Sequence, residues 1–269
     1  TSPFAFTGNK FEFRAVGSTA NCAVPMTVLN TIVADQLNMF KAAVDKRIAS
    51  GDKKDEALLK EIQSLIKQSK SIRFEGNGYG EEWVEEATKR GLSNLMDTPS
   101  ALAVWDRKEV VALFDAMGVL SPEEVAARTE VEFENYTMKL QIEARVLGDM
   151  VTNQVLPAVI DYQGDLLANI QGFMDVYGDA EAENMTRAQR GILEELSAGL
   201  SATYAAMQSL REERSKINKM EDLKGKAEAY ANVVRPLMDE VRVQVDQLEK
   251  LTEDSRWPFP KLRELLFTR

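Results

Sequence analysis

The chain has 269 residues, 44% apolar and 28% charged, which is enough hydrophobic material for a sizeable core and too much for a disordered segment. Its formal net charge of −10 opposes binding to nucleic acid, and it has no apolar run of the length a bilayer demands. The single cysteine, Cys22, excludes an intrachain disulfide, and the complete lack of histidine removes the commonest general base and zinc ligand, leaving chemistry to carboxylates and cations.

The first element in chain order is a strand over residues 4–14. Phe11-Glu12-Phe13-Arg14 alternates with the period of two of a half-buried strand and puts Lys10, Glu12 and Arg14 on the face opposite the phenylalanines. A chain that opens at Thr1-Ser2-Pro3 directly on a strand, with no secretory leader, suggests a piece of a longer cytoplasmic protein. Asn21 then caps a helix whose apolar residues Met26, Leu29, Val33, Leu37, Phe40, Val44 and Ile48 recur at threes and fours. Residues 55–69 predict a second amphipathic helix, with Leu58, Leu59, Ile62, Leu65 and Ile66 as its buried stripe. Shorter helices follow at 81–90, 98–104, 106–117 and 121–128, punctuated by Pro99, Gly118 and Pro122.

From about Thr129 the texture changes to long helical pattern over 130–176, 185–217 and 222–252, with Pro157 predicting a kink. Three long helices separated by brief polar turns run antiparallel and share one core. Trp257-Pro258-Phe259-Pro260 ends this bundle before a last short helix carrying Leu262, Leu265 and Leu266. The fold class is therefore mainly α: a C-terminal antiparallel long-helix bundle, preceded by smaller helices and one or two strands. The domains fall at 1–128 and 129–269.

Most chemistry-bearing patterns have a plain structural reading. Gly76-Asn77-Gly78-Tyr79-Gly80 precedes a helix as phosphate loops do, but no Lys-Ser/Thr follows and Glu75, Glu81 and Glu82 would repel phosphate, so a turn is the reading. The pairs Glu81-Glu82 and Glu85-Glu86 read as solvated charge, Met138, Met150, Met174 and Met207 as packing, and Cys22 as a small buried residue. Lys10, Glu12 and Arg14 leave two alternatives open. From spacing alone a solvated strand edge is favoured, yet an acid between two bases also suits a site where a divalent metal meets phosphates.

Resemblance tips that balance. Asn9-Lys10-Phe11-Glu12-Phe13-Arg14, followed by Ser18-Thr19-Ala20-Asn21, resembles the late catalytic strand of glutamine synthetases: basic, apolar, Glu, apolar, Arg, then an Asn opening a long helix. Residues 3–18 and 74–83 resemble the large type III branch of that family, and the likeness extends over the whole chain as the C-terminal part of such an enzyme. The resemblance implies ATP-dependent ligation of ammonia to glutamate through a γ-glutamyl phosphate, with Mg2+ or Mn2+, in a site walled by a curved sheet that the opening strand completes, so that the intact enzyme is α+β. It places Glu12 on a metal-ligating position. Arg14 falls on the arginine that contacts the transferring phosphoryl group and the substrate carboxylate, and Lys10 on a basic position facing ATP where the family often carries Arg. It implies a ring-shaped homo-oligomer, a dodecamer, whose subunits the bundle helps to join. The family's other metal-binding glutamates, its metal-binding histidine and its small N-terminal domain are absent from this chain, so the fragment alone is expected to be inactive. The rival reading is a non-catalytic helical scaffold or oligomerisation module.

Overall fold

The computed structural model describes residues 4–6, 10–13, 21–73, 77 and 80–267. The chain is mainly helical. It divides into two compact units, one running to Thr129 and the other beginning at Glu130.

The first unit opens on two short strands, β1 (Phe4–Phe6) and β2 (Phe11–Phe13). They pair antiparallel, with Phe4 opposite Phe13, Ala5 opposite Glu12 and Phe6 opposite Phe11. The single strand expected over 4–14 is thus two strands paired with each other. Gly8-Asn9, a turn-forming pair, lies between them in the sequence.

Helix α1 (Ala23–Ala49) is capped at Cys22 rather than at the expected Asn21, which stands one residue earlier with its Oδ1 accepting the Ala23 N–H at 2.8 Å. It ends at Gly51, whose φ of +105° is open to glycine at little cost, and the Asp52 N–H reaches back to the Arg47 carbonyl. The chain returns as α2 (Lys54–Gln68), tied to α1 by the ion pair between Arg47 Nε and Glu61 Oε2 at 2.8 Å.

The expected apolar stripes of these two helices are largely uncovered. Only Thr31, Val44 and Ala57 are buried, while Leu37 is 62% and Leu59 57% exposed, and Ile62 and Ile66 are open as well. Periodicity marks the faces that favour burial, but among the described residues of this unit α1 packs chiefly on α2 and on α5 (Lys108–Ala116), which leaves much of those faces open. Between them lie α3 (Glu81–Lys89) and α4 (Thr98–Leu102). Asp97 caps α4 by accepting the Ser100 N–H at 2.8 Å, and that bond with the Ser100 hydroxyl holds its carboxyl below the usual range. Phe114 of α5, 2% exposed, stacks on Trp105 with ring centres 5.2 Å apart.

Helix α6 (Pro122–Met150) begins with a reciprocal cap: Glu124 Oε2 accepts the Ser121 N–H at 2.8 Å and Ser121 Oγ accepts the Glu124 N–H at 3.2 Å. It runs without a break through Thr129, so the separate helices expected at 121–128 and from 130 are one.

Beyond α6 the second unit continues with α7 (Leu156–Tyr177), α8 (Asp179–Met185), α9 (Arg187–Ile217), α10 (Leu223–Ala229) and α11 (Arg235–Leu251). Gly178, at φ +78° and ψ 163°, turns α7 into α8 through backbone space that side chains disfavour. Helix α9 packs on both α7 and α11. Its register with α7 is antiparallel: Gln163 Nε2 donates to Ser197 Oγ at 2.8 Å, and Gln189 Nε2 to Asn169 Oδ1 at 3.2 Å. The core closes around Val159, Leu196, Tyr230, Val234, Val241 and Leu248, all at 0% exposure. On α9, α10 and α11 the apolar residues Leu196, Met207, Leu210, Ala227, Val245 and Leu248 are buried.

The bundle passes its two internal prolines without breaking. π-Turns occupy Val151–Val155 and Tyr230–Val234, each ending two residues before a proline, Pro157 or Pro236. The Leu156 N–H donates to the Val151 carbonyl and the Arg235 N–H to the Tyr230 carbonyl, five residues back rather than four. A proline ring collides with the carbonyl four residues earlier and offers it no N–H, and the wider turn moves that carbonyl aside. The two sites share a pattern, Asn153-Gln154-Val155-Leu156-Pro157 and Asn232-Val233-Val234-Arg235-Pro236, in which the valine is buried both times.

After α11 the chain folds back over the bundle. Trp257, 7% exposed, meets Phe259 edge to face. Two nearly buried charges fasten the strap: Glu249 Oε1 accepts the Leu262 N–H at 2.7 Å, and Lys261 Nζ pairs with Asp254 at 2.8 Å. The last element is a single 3-10 turn, Glu264–Leu266, where a short α-helix was expected.

Candidate functional site

Two of the three residues singled out in the opening motif lie in the described hairpin. Lys10 is exposed at the end of the connection between the strands, and Glu12 is the middle residue of β2, opposite Ala5. Arg14 lies outside the described residues. The sequence places a carboxylate two residues from each cation, and β2 supplies an extended backbone between Lys10 and Glu12.

A carboxylate oxygen is the hard donor that Mg2+ or Mn2+ takes. Among the described residues no three Asp, Glu or Cys side chains converge as a ligand set. By residue type Glu12 could give such an ion one ligand, and a site would need others besides.

The patterns read as structural are placed as follows. In the glycine-rich passage the Gly80 N–H donates to the Asn77 carbonyl at 3.2 Å, closing a turn before α3, and its other residues lie outside the described set. Glu86 pairs with Arg90 at 2.6 Å, and Arg90 also donates to the Arg73 carbonyl at 2.7 Å, which ties α3 to the end of the preceding segment. Met207 is buried, but Met138 is half exposed on α6. Cys22 is exposed rather than buried, and stands at the N-terminal end of α1. No helix among the described residues is long and apolar enough to cross a membrane.

Sequence reasoning missed one concentration of charge. Arg145 on α6 and Arg211 and Arg214 on α9 line one cleft of the bundle. The spacing of Arg211 and Arg214, three apart on a helix, was the available signal; their meeting with Arg145 is a product of the fold.

Comparison with known proteins bears on the opening motif and on the chain as a whole. Residues 57–173 match the sequence family described as the glutamine synthetase C-terminal domain. Over all 269 residues the chain is 44% identical to a glutamine synthetase of Bacteroides fragilis (strain YCH46), covering 37% of that protein. It is 36% identical to a type-3 glutamine synthetase of Dictyostelium discoideum, of which it covers 36%. A glutamine synthetase of Butyrivibrio fibrisolvens is 31% identical over 274 aligned positions, again with 37% of its length covered. The chain thus spans little more than a third of the length of these relatives. Its entire length thus aligns with glutamine synthetases, and its middle matches the glutamine synthetase C-terminal domain.

Proposed function

We propose that this chain is the C-terminal part of an enzyme that joins ammonia to glutamate at the expense of ATP, through a γ-glutamyl phosphate. The observation that carries the reading is the 44% identity with a glutamine synthetase over the chain's full length, which includes the Lys10-Glu12-Arg14 motif. In this reading residues 1–128 belong to the catalytic domain, with β2 contributing to its sheet, and residues 129–269 form a C-terminal helical domain. The uncovered apolar faces of α1 and α2 support it, since they ask for a neighbouring layer that the described chain does not supply.

The roles follow from charge. Glu12 is a ligand to Mg2+ or Mn2+, which when bound neutralises phosphate charge on the nucleotide. Arg14 holds the transferring phosphoryl group and the carboxylate of glutamate, a task that suits a planar guanidinium with paired donors. Lys10 faces the phosphates of ATP. Phosphoryl transfer asks mainly for positioning and charge neutralisation, and these three residues supply both without a histidine. The remaining ligands belong to the rest of the protein, and the isolated fragment is inactive. The protein acts in the cytoplasm as a ring-type homo-oligomer, a dodecamer, with the bundle joining subunits.

The test is Glu12→Ala in the intact protein. Metal-dependent γ-glutamyl transfer is abolished while the far-ultraviolet dichroism and the melting temperature stay at wild-type values, because a ligand is lost and no core packing. Transfer activity close to that of the wild type removes Glu12 from the site and with it the assignment of β2 to a catalytic sheet.

A further inference from the structure

A second site lies in the bundle and does not depend on the function proposed above. Between α6 and α9 is a cleft of about 270 Å³. Gly148 of α6 and Met207 of α9 line it together, and a Cβ on Gly148 would stand 3.2 Å from Met207 Cε. Its rim carries three guanidiniums, Arg145 from α6 and Arg211 and Arg214 from α9, together with Thr152 and Asn153 of the first π-turn.

These arginines lack side-chain partners within the protein, as Arg107, Arg128, Arg187 and Arg235 also do among the described residues; what sets them apart is that they meet in one cleft. Arg47, Arg90, Arg242, Arg256 and Arg263 each pair with a carboxylate. Among the described residues Arg145, Arg211 and Arg214 form no ion pair and donate no side-chain hydrogen bond. The acid that shares the cleft, Asp149, is engaged by Asn153 Nδ2 at 2.6 Å, and Glu213, beside Arg214 in sequence, pairs outward with Lys216 at 2.6 Å. The Thr152 hydroxyl is also unengaged, whereas those of Thr129, Thr186, Thr203 and Thr252 donate to the carbonyl four residues back. The field of the group reaches inward: burial raises the Tyr230 hydroxyl above its ordinary pKa, and Arg214 and Arg145 act against that rise.

Three like charges gathered on a concave surface repel one another, and the one carboxylate that shares the cleft, Asp149, offsets only part of that cost, which a bound anion removes. Guanidinium forks match the oxygens of phosphate and carboxylate, and the Thr152 hydroxyl adds a neutral donor. We infer that the cleft between α6 and α9 is a binding site for a small oxyanion carrying at least two negative charges, held by Arg145, Arg211 and Arg214. The volume lies at the low end for ligand pockets, which favours inorganic phosphate, a small phosphate ester or a polycarboxylate over a nucleotide.

The test is the rate of arginine modification by phenylglyoxal, mapped residue by residue by mass spectrometry on the intact protein. It is run with inorganic phosphate, with citrate and with sodium chloride at matched ionic strength. Because the readout is local, anion binding at the catalytic site does not enter it. The expected result is that phosphate, citrate or both slow modification of Arg145, Arg211 and Arg214 together, leaving the exposed Arg187 and Arg235 unchanged. Protection by one probe alone assigns the site to phosphate groups or to polycarboxylates. Arg211→Gln then raises the concentration that half-protects Arg145 by about tenfold, the scale of one charge-assisted contact. Equal slowing by sodium chloride, no slowing by either anion, or arginines already unreactive because another segment or subunit covers them would each overturn the proposal.

Discussion

A tight approach between α9 and α11 sets a test whose sign depends on one side chain. Gly199 of α9 faces α11, where a Cβ built on it would lie 2.9 Å from Leu248 Cδ2 and 3.5 Å from Leu248 Cγ. Leu248 is at 0% exposure, so its methyl cannot swing into solvent and yields only by pushing on its own neighbours. Gly199→Ala therefore combines two opposed effects: a gain of about 0.5–1 kcal/mol from helix propensity and an overpacking loss of about 1–3 kcal/mol. The net is a destabilisation of roughly 0–2 kcal/mol. Leu248→Ala removes the obstructing methyls at a cost of about 2–5 kcal/mol. In that background Gly199→Ala becomes stabilising by about 0.5–1 kcal/mol, so the double-mutant cycle returns a coupling of about 1–3 kcal/mol. Hydrogen exchange of the α9 and α11 amides in the intact protein reads these differences locally, without assuming that the whole chain unfolds in one step. A coupling below about 0.5 kcal/mol, with Gly199→Ala equally favourable in both backgrounds, would refute the packing of α9 on α11 described above.

Two further outcomes follow from the bundle. Tyr230, fully buried with its hydroxyl donating to Asn218 Oδ1 at 2.6 Å, has its pKa raised by burial, so the folded state keeps a proton that the unfolded chain releases near about pH 10. That stabilisation is complete below the unfolded pKa and is lost as pH rises through the folded one. Tyr230→Phe therefore flattens the alkaline fall in melting temperature while costing about 1 kcal/mol at neutral pH through the unpaired Asn218 oxygen. Parallel pH profiles for the two proteins would count against it. At the strap, Trp257→Ala removes a core side chain at a cost of about 3–5 kcal/mol and frees the residues after Thr252. Trypsin then cuts faster after Lys261, whose Nζ is otherwise fastened to Asp254 and the Thr252 carbonyl, and an unchanged rate contradicts that docking.

What the sequence disclosed depended on which interactions are local. The helices of the bundle were legible because Leu196, Val234, Val241 and Leu248 repeat at the helical period and are buried within the chain itself. The same period on α1 and α2 identified Leu37, Leu59 and Ile66 as apolar-face residues but carried no information on whether this chain supplies the cover. Pro157 reads as a kink in any local account; that a π-turn takes it up, and that Pro236 repeats the device, depends on hydrogen bonds five residues long that no propensity reports. Gly8-Asn9 was a visible turn signal between the two opening strands. The candidate catalytic residues were legible only as a motif, since Glu12 between Lys10 and Arg14 has no partners in this sequence that would raise it above a charged strand edge. The arginine cleft was illegible for the opposite reason: Arg145 and Arg214 are unremarkable singly and become a site only when α9 lies on α6.

The two units differ in what they leave unsatisfied, and the difference bears on function. The second unit closes its own apolar core and fastens its own C-terminal strap, and although apolar residues such as Val176 and Leu266 stay exposed on it, its distinctive opening is the cleft lined by Arg145, Arg211 and Arg214. The first unit pairs its few strands with each other and leaves the large apolar residues of α1 and α2 uncovered. Apolar faces of that extent are satisfied by packing against more protein, whereas an unpaired guanidinium cluster is satisfied by an anion. The first deficit suits a segment that completes a larger catalytic body; the second suits a ligand site on a domain that is already folded. A protein built this way would separate the two under mutation: Glu12→Ala would abolish transfer without touching anion protection at Arg145, and Arg211→Gln would weaken that protection without removing a ligand from the catalytic metal.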